Sequence, residues 1–536
     1  MSLSVACIGG GPGGLFAATL IKQRRPDARV SVYERNRADD TYGFGVVFSD
    51  ATLQKINDAD AVLIDALREH GRHWEDIEVR LKGERITVGG NGMAAISRKT
   101  LLLLLQDRAR AEGVDLRFET EVDVDQVLAE HDVVVASDGA NSRTRDRFAD
   151  QFGPSAVQAR AKFIWFGTSY MFDGLTFVHK EGPHGVFAVH GYPISADVST
   201  FIVETDEETW RRAGLDEFDV TQPPGPSDEK SRKYLQELFA DEIDGQPLLV
   251  NNSRWGNFRT RRADSWHAGK VALLGDSAHT AHFSVGSGTK MAMEDAIELA
   301  RAVVEHDDVE QALAAYEGAA RPSVEKIQGS ARPSLSWWEH FGRYHSAFDP
   351  MQFAFHFMSR SIGRAKIARR DPDFIAAVDA AWLDRHGSDP LSTPLDLGRV
   401  VFPGRTARIV ERDGRRFVAD GNGALVPLAE CPPADGVPAR SPGKDEPWAL
   451  WLAAPESEDG VAGAAATVVA CRSERPALVA VHGGTPLTRV LLAEEVRLAV
   501  GLPVALVEEQ ADEDRAATLV LSGRADLVAI AGGTGV

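Results

Sequence analysis

The hydrophobic pattern changes period along the chain, and each change marks an element. Residues 3–8 form a short apolar run, residues 13–24 repeat their apolar positions at helical spacing, and residues 29–34 return to a strand pattern. This strand–turn–helix–strand order predicts the opening of a doubly wound parallel sheet. A further amphipathic helix is predicted over residues 97–112, with strands near 115–118 and 132–137. After residue 155 the chain turns aromatic and β-branched. The runs 163–172, 175–179, 186–190 and 200–204, separated by Gly and Pro, predict antiparallel hairpins. Residues 221–230, rich in proline, predict an exposed loop. The apolar run before Asp276 predicts a return to the first sheet, followed by a helix from Gly288 to about His306 and helical segments through 321–386. From about residue 391 a Pro-rich linker (431–447) precedes buried strands at 478–482, 502–508 and 526–531, separated by helices.

These elements predict an α/β protein. A Rossmann-like domain spans 1–155 and 256–390, its later part ending in a helical segment. An antiparallel β-sheet domain is inserted at 156–255, and a small C-terminal α/β domain occupies 391–536. A length of 536 residues agrees with two or three cores. The formal charge of -20 argues against general affinity for nucleic acid or anionic membranes, so an anionic ligand needs a local basic pocket. Cys7, Cys431 and Cys471 are too few for a disulfide framework or a metal cluster, which fits a cytoplasmic protein. No apolar run approaches the roughly 20 residues a bilayer span needs, and no leader pattern opens the chain.

Chemistry concentrates in three separated segments. Gly9-Gly10-Gly11-Pro12-Gly13-Gly14 follows a strand and opens a helix, which permits a tight turn and close approach of a diphosphate to backbone N–H groups. Glu34, twenty residues after Gly14, ends the second strand, where a carboxylate accepts from ribose hydroxyls. That acid does not separate FAD from NAD. The second segment, Asp138-Gly139-Ala140-Asn141-Ser142 with Arg145 beyond, and the third, Gly275-Asp276-Ser277-Ala278-His279, do point to FAD. Asp276 is expected to reach ribityl or ribose hydroxyls. Gly286 and Gly288, with Thr289 and Lys290, open a helix whose N–H groups suit the flavin edge that becomes negative on reduction. Arg98 is expected to neutralise diphosphate charge, and Arg35 and Val46 complete the expected cofactor contacts.

Together these segments resemble the FAD-dependent aromatic hydroxylases of the para-hydroxybenzoate hydroxylase type, over residues 1 to about 385. The resemblance implies a single-component monooxygenase that uses FAD, NADH or NADPH, and O₂, and hydroxylates an electron-rich ring through a flavin C4a-hydroperoxide. The missing second glycine fingerprint fits NAD(P)H without a domain of its own. Where the wider family places prolines, this chain reads Thr280-Ala281-His282-Phe283-Ser284-Val285. That stretch and Gly43-Phe44-Gly45-Val46-Val47-Phe48-Ser49-Asp50 are similar to the salicylyl-CoA 5-hydroxylase and 2-aminobenzoyl-CoA monooxygenase group. The implied substrate is an aryl-CoA thioester such as salicylyl-CoA, converted to gentisyl-CoA. Alternatives are a free or carrier-tethered aromatic intermediate of natural-product synthesis and, from another class, a flavin-bound interaction protein.

Phe163, Trp165, Tyr192 and Phe283 are the expected aromatic walls around the substrate. His282 is the expected catalytic residue, with His190 a second substrate contact. Coenzyme A phosphates need cations, and two clusters supply them: Arg259, Arg261 and Arg262, and the run Arg360, Arg364, Lys366, Arg369 and Arg370, in which Arg364 and Arg369 are the expected contacts. In the tail, Thr393-Pro394-Leu395, Leu397 and residues 493–531 resemble an Old Yellow Enzyme-like FMN barrel. Gly404-Arg405 departs from that pattern, His482 is the tail's only histidine, and its length falls well short of the roughly 250 residues of an eight-unit barrel. The expectation is a shortened remnant without FMN that packs on the hydroxylase or mediates homodimer contacts.

Overall fold

The computed structural model describes residues 2–41, 43–50, 53–223, 225–286, 288–430 and 446–531; most of the linker expected at 431–447 therefore lies outside the described residues. The chain divides into two compact units, residues 1–342 and 343–536.

In the first unit the expected parallel sheet has six strands, in the order His267–Ala268, Val271–Leu273, Val133–Ala136, Ser4–Ile8, Arg29–Tyr33 and Asp115–Arg117. All neighbours pair in parallel except the short His267–Ala268 edge. The central strand, Ser-Val-Ala-Cys-Ile, is covered on both faces, which explains its unbroken apolar run. The helix Pro12–Arg24 packs against Arg98–Ala111 and Gly288–Glu305, and Phe16, Leu20 and Leu299 are buried in the same core cluster.

The antiparallel sheet is wider than the span 156–255. Its order is Leu248–Leu249, Pro154–Thr168, Ser199–Thr205, Gly185–Pro193, Leu175–Gly182, Ile77–Leu81 and Glu84–Val88, with Gly256–Ala263 paired along the first half of Pro154–Thr168. The early hairpin 77–88 and the returning strand 256–263 therefore belong to the same sheet as the insertion. Alternation divides this sheet cleanly. Ile164, Phe166, Val189, Phe201 and Val203 point into one apolar cluster with Leu235 and Phe239. The opposite face carries Phe163, Trp165, His190, Tyr192, Thr200, Ile202 and Glu204, in register across three strands.

The second unit begins with the helices Pro350–Met358, Arg364–Ala368 and Pro372–His386, and ends in a closed barrel. Its strands are Thr406–Arg412, Arg415–Ala419, Leu425–Glu430, Ala449–Ala453, Leu478–His482, Val504–Glu508 and Leu527–Ala531. The last four neighbour in parallel, and the final strand returns to pair in parallel with Thr406–Arg412. The tail is thus a complete small barrel, closed by the two antiparallel pairings among its first three strands.

Candidate active site

A cavity of about 650 Å³ opens at the carboxyl ends of the parallel strands, where doubly wound sheets bind ligands. All three sequence segments converge on it. Gly9, Gly11, Pro12, Gly13, Gly14, Glu34, Arg35, Val46, Arg98, Asp138, Gly139, Asp276, Gly288 and Thr289 line its wall. Gly286 and Lys290 are not among the lining residues. Gly286 adopts φ +60° beside Val47, and Lys290 turns along its helix to Glu294 at 2.8 Å.

The glycines divide their labour. A Cβ on Gly9 (φ +105°) would stand 2.3 Å from the Ser137 carbonyl oxygen, and one on Gly13 would stand 2.6 Å from Leu274. These positions let strand, turn and helix close on each other. Gly11, the N-cap residue of the first helix, meets nothing within 4 Å and faces open space. Its openness is what close approach of a diphosphate to the helix N-terminus demands.

Glu34 is held in place by its own neighbours: Oε2 accepts from the Gly10 N–H at 2.8 Å, and Oε1 from the Asn36 backbone and side-chain nitrogens, each at 2.8 Å. A carboxylate has about four acceptor sites, so it retains capacity for hydroxyl donors. Asp138 is fixed from one side by the Thr144 N–H and hydroxyl, both 3.1 Å from Oδ2, while its buried Oδ1 meets no partner among the described residues. Asp276 is accessible yet ringed by protein, and burial raises its carboxyl above the ordinary value against the pull of His279, Arg98 and Arg261. The loop that carries it is anchored by buried Asp295, whose Oδ2 accepts from the Gly275 N–H at 3.0 Å and meets His279 Nε2 at 2.7 Å. A pre-set ribose acceptor, an open helix N-terminus and an unpartnered buried oxygen are the features an extended dinucleotide needs. The residues therefore fit FAD.

Arg98 joins this cavity to the inner face of the antiparallel sheet. Its Nε donates to the Gly45 carbonyl at 3.1 Å, and its guanidinium lies 5.2 Å from the centre of the Trp165 ring. Burial lowers its pKa, while Tyr192 and Asp276 pull it back up. Trp165, Tyr192 and Phe283 gather in one apolar cluster with Trp74, Ile202 and Phe44. Phe283 stacks edge-on against Phe163 at 5.1 Å and lies 6.1 Å from Trp165 and 5.4 Å from His190. Gly45 has no room for a side chain: a Cβ would meet Ile194 at 2.3 Å and the Thr200 hydroxyl at 2.7 Å. The unusual Gly43-Phe44-Gly45 stretch is thus explained by a strand crossing close over the sheet.

His282 and His190 come together as well, on a residue that the sequence analysis passed over. Both imidazoles face the buried carboxylate of Glu204. Ser137 and Thr144 were not singled out either; they act through hydrogen bonds to the Gly9 carbonyl and to Asp138 that no local spacing announces. Glu204 had a signal, a charged residue inside an otherwise uncharged strand, Ser-Thr-Phe-Ile-Val-Glu-Thr. Arg364 and Arg369 lie in the second unit, where Arg364 is engaged in an ion pair with Asp379 and donates its N–H to Thr518. Among the described residues no cluster of His, Cys, Asp and Glu suits a metal ion, and no helix is long and apolar enough to cross a membrane.

Comparison with known proteins agrees with this geometry. A family model described as FAD binding domain matches residues 2–330. The chain is 59% identical over 535 residues to a salicyloyl-CoA 5-hydroxylase of Streptomyces sp, covering 99% of this chain and 100% of that protein. It is 38% identical over 331 residues to a 3-hydroxy-4-methyl-anthranilyl-[aryl-carrier protein] 5-monooxygenase of Streptosporangium sibiricum, covering 62% of this chain and 87% of the relative. Among solved structures, a tetrameric form of 2-methyl-3-hydroxypyridine-5-carboxylic acid oxygenase shares the fold with TM-score 0.51 at 21% identity, over 67% of this chain and 98% of that one.

Proposed function

We propose, from the premise that the chain belongs to the FAD binding domain family, that it is a flavin-dependent monooxygenase acting on an aryl-CoA thioester. The substrate in this reading is salicyloyl-CoA, hydroxylated at ring position 5 to gentisyl-CoA. The overall balance is one aromatic C–H, O₂, NAD(P)H and a proton giving C–OH, water and NAD(P)⁺. The observation that carries it is the 59% identity to a salicyloyl-CoA 5-hydroxylase, which extends through the C-terminal barrel as well as the flavin domain. Bound FAD supplies the two-electron relay from NAD(P)H and the activation of O₂.

The chain's own residues bind, orient and exclude water. Gly9 to Gly14 and the helix after them hold the diphosphate, Glu34 and Arg35 the adenosine end, and Asp138, Gly139 and Asp276 the hydroxyls between. Gly288 and Thr289 serve the ring end. Trp165, Tyr192 and Phe283 form an apolar wall that keeps water from the reacting ring. His282, with His190, takes the phenolic proton, so that electron density on the ring rises as it attacks oxygen. Arg364 and Arg369 supply charge for the coenzyme A phosphates. Cytoplasmic location and homodimerisation complete the reading; the thiol of buried Cys7, outside any disulfide, agrees with a reducing compartment.

The test is mass-spectrometric detection of a +16 Da product, roughly one oxygen atom, from salicyloyl-CoA, free salicylate and a carrier-bound salicyl group, each with NADH and with NADPH. Product from the CoA ester at far higher kcat/KM than from the others supports the proposal. Product only from the carrier-bound ring would favour the role of the Streptosporangium relative instead.

A further inference from the structure

The inner face of the antiparallel sheet carries one carboxylate to which the reading above gives no task. Glu204 is only 1% exposed. Two imidazoles meet it from different elements. His190, on the neighbouring strand, places Nε2 2.6 Å from Oε1; His282, on the loop leading to Gly286, places Nε2 3.6 Å from Oε2. Both rings are themselves buried, at 4% and 2% exposure.

The other side of His282 is engaged too. Its Nδ1 lies 2.7 Å from the Ser284 hydroxyl and accepts from the Ser284 backbone N–H at 3.4 Å, and the Ser284 hydroxyl lies 2.9 Å from that of Ser334. An accepting Nδ1 leaves the proton of the neutral ring on Nε2, aimed at Glu204. The Nε2 atoms of both rings are therefore the groups that face the carboxylate, at ion-pair distance.

The remaining neighbours of Glu204 contribute no counter-charge. Lys162, one strand over, turns to Asn257 Oδ1 at 2.8 Å and to Glu207 at 3.9 Å. The long helix Val309–Ala347 presents Trp338, whose ring lies 4.3 Å from that of His190. Burial alone would raise the Glu204 carboxyl; the two imidazoles outweigh it and hold the carboxyl below its ordinary value. A carboxylate this deep is unfavourable without a compensating proton, and the two rings are the groups placed to hold it.

Resting on the hydroxylase reading, we propose that Glu204 is a positioning residue through which His190 and His282 share one proton. Ring hydroxylation then follows the titration of a coupled His–Glu–His unit, not of a single histidine. With one proton the unit is neutral: a carboxylate, an imidazolium and an imidazole. When Nδ1 of the neutral His282 ring takes the proton of the substrate hydroxyl in exchange for its Ser284 contact, the O–H bond breaks, an N–H bond forms, and the electron pair stays on the phenolate oxygen. The unit then carries two protons and one net positive charge. The Phe283 ring lies 4.3 Å from that of His282, tilted by 30°.

The experiment is the pH profile of kcat/KM for product formation in the FAD-loaded full chain, with Glu204→Gln and His190→Gln. Glu204→Gln removes the charge that attracts both protons, so the acidic limb should move to lower pH by about one unit or more. His190→Gln leaves the carboxylate to His282 alone, so the limb should move to higher pH. Glu204→Asp should restore most of the parent profile. Long-range ¹⁵N NMR of histidine-labelled protein gives a readout apart from activity: the His282 Nε2–H tautomer should be present in the parent and redistributed in Glu204→Gln. If Glu204→Gln fails to take up FAD, His190→Gln carries the test alone. A limb within about 0.3 unit of the parent, in whichever variant loads FAD, overturns the proposal. A parent protein that forms no hydroxylated product sinks the hydroxylase reading instead.

Discussion

Two glycines two residues apart should fail in opposite ways when changed to alanine. Gly9→Ala puts a side chain on a backbone at φ +105° and its Cβ 2.3 Å from the Ser137 carbonyl oxygen and 2.9 Å from Asp138 Cα. Left-handed backbone costs an L-residue about 1–2 kcal/mol, and overpacking adds about 1–3 kcal/mol. Because the obstacle is backbone on the adjacent strand, relaxation is limited, and a loss of about 2–5 kcal/mol follows. Gly11→Ala differs on both counts. Its φ of -72° and ψ of 173° are ordinary for any residue, and its Cβ meets nothing within 4 Å. Apo-protein stability should therefore change by no more than about 0.5 kcal/mol. The added methyl instead stands where a diphosphate must approach the helix N-terminus. Losing one charge-assisted hydrogen bond there, about 1.5–3 kcal/mol, weakens FAD binding about 10- to 150-fold. Melting of the apo-proteins and titration by flavin fluorescence, at one salt concentration, read the two effects separately. The reasoning is refuted if Gly11→Ala binds FAD as tightly as the parent, or if it melts as low as Gly9→Ala.

Three further outcomes are expected. Asp295→Ala strands the Gly275 N–H and the buried His279 ring, and should cost about 3–5 kcal/mol in urea unfolding while weakening FAD through the Asp276 loop; unchanged unfolding would contradict the anchoring role. In the second unit, burial drives His356 down to about 4, and buried Glu494 lies at about 2, with His356 and Arg524 overcoming the burial that would raise it. Both folded values are depressed, so His356 contributes stability that is complete above pH 6.5 and fades towards 4, and Glu494 contributes stability that fades from about 4.5 towards 2. Calorimetry of the full chain should show one transition falling steeply on acidification below pH 6.5, and His356→Gln should flatten its first part; a pH-independent transition would count against this. Arg364→Glu combined with Arg369→Glu should raise KM for a CoA thioester about tenfold and leave the free acid within about twofold. If Arg259→Glu with Arg261→Glu does so instead, the other basic cluster meets the phosphates.

What could be seen in advance follows from the range of the forces involved. The cofactor cavity was legible because its contacts are local: turn, strand end and helix start lie within a few residues, and steric rules tie Gly9 and Gly13 to their places. The inner face of the antiparallel sheet was legible only in part. Phe163, Trp165, His190 and Tyr192 were marked by type, but the register that brings Ile202 opposite both Trp165 and His190, and sets Glu204 beside Phe163, is a long-range pairing. The hairpin at 77–88 escaped for the same reason, since its partner strand begins at Leu175. The barrel makes the point most sharply. Its parallel strands are apolar on both faces, with Leu450, Val479, Val481 and Leu506 under the helices and Ala449, Ala480, Ala505 and Ala529 in a second cluster with Val418 and Val426. Local pattern reports such strands as buried and stops there. Barrel diameter grows with strand number, so a seven-stranded ring has little room inside, and alanines are interspersed there with Leu478, Val507 and Leu527. Thr406–Arg412, Arg415–Ala419 and Leu425–Glu430 then complete the ring by antiparallel pairing, without the helices that further β-α units would bring. A tail too short for eight units is in this way a finished fold, because closure, not length, is what removes exposed strand edges.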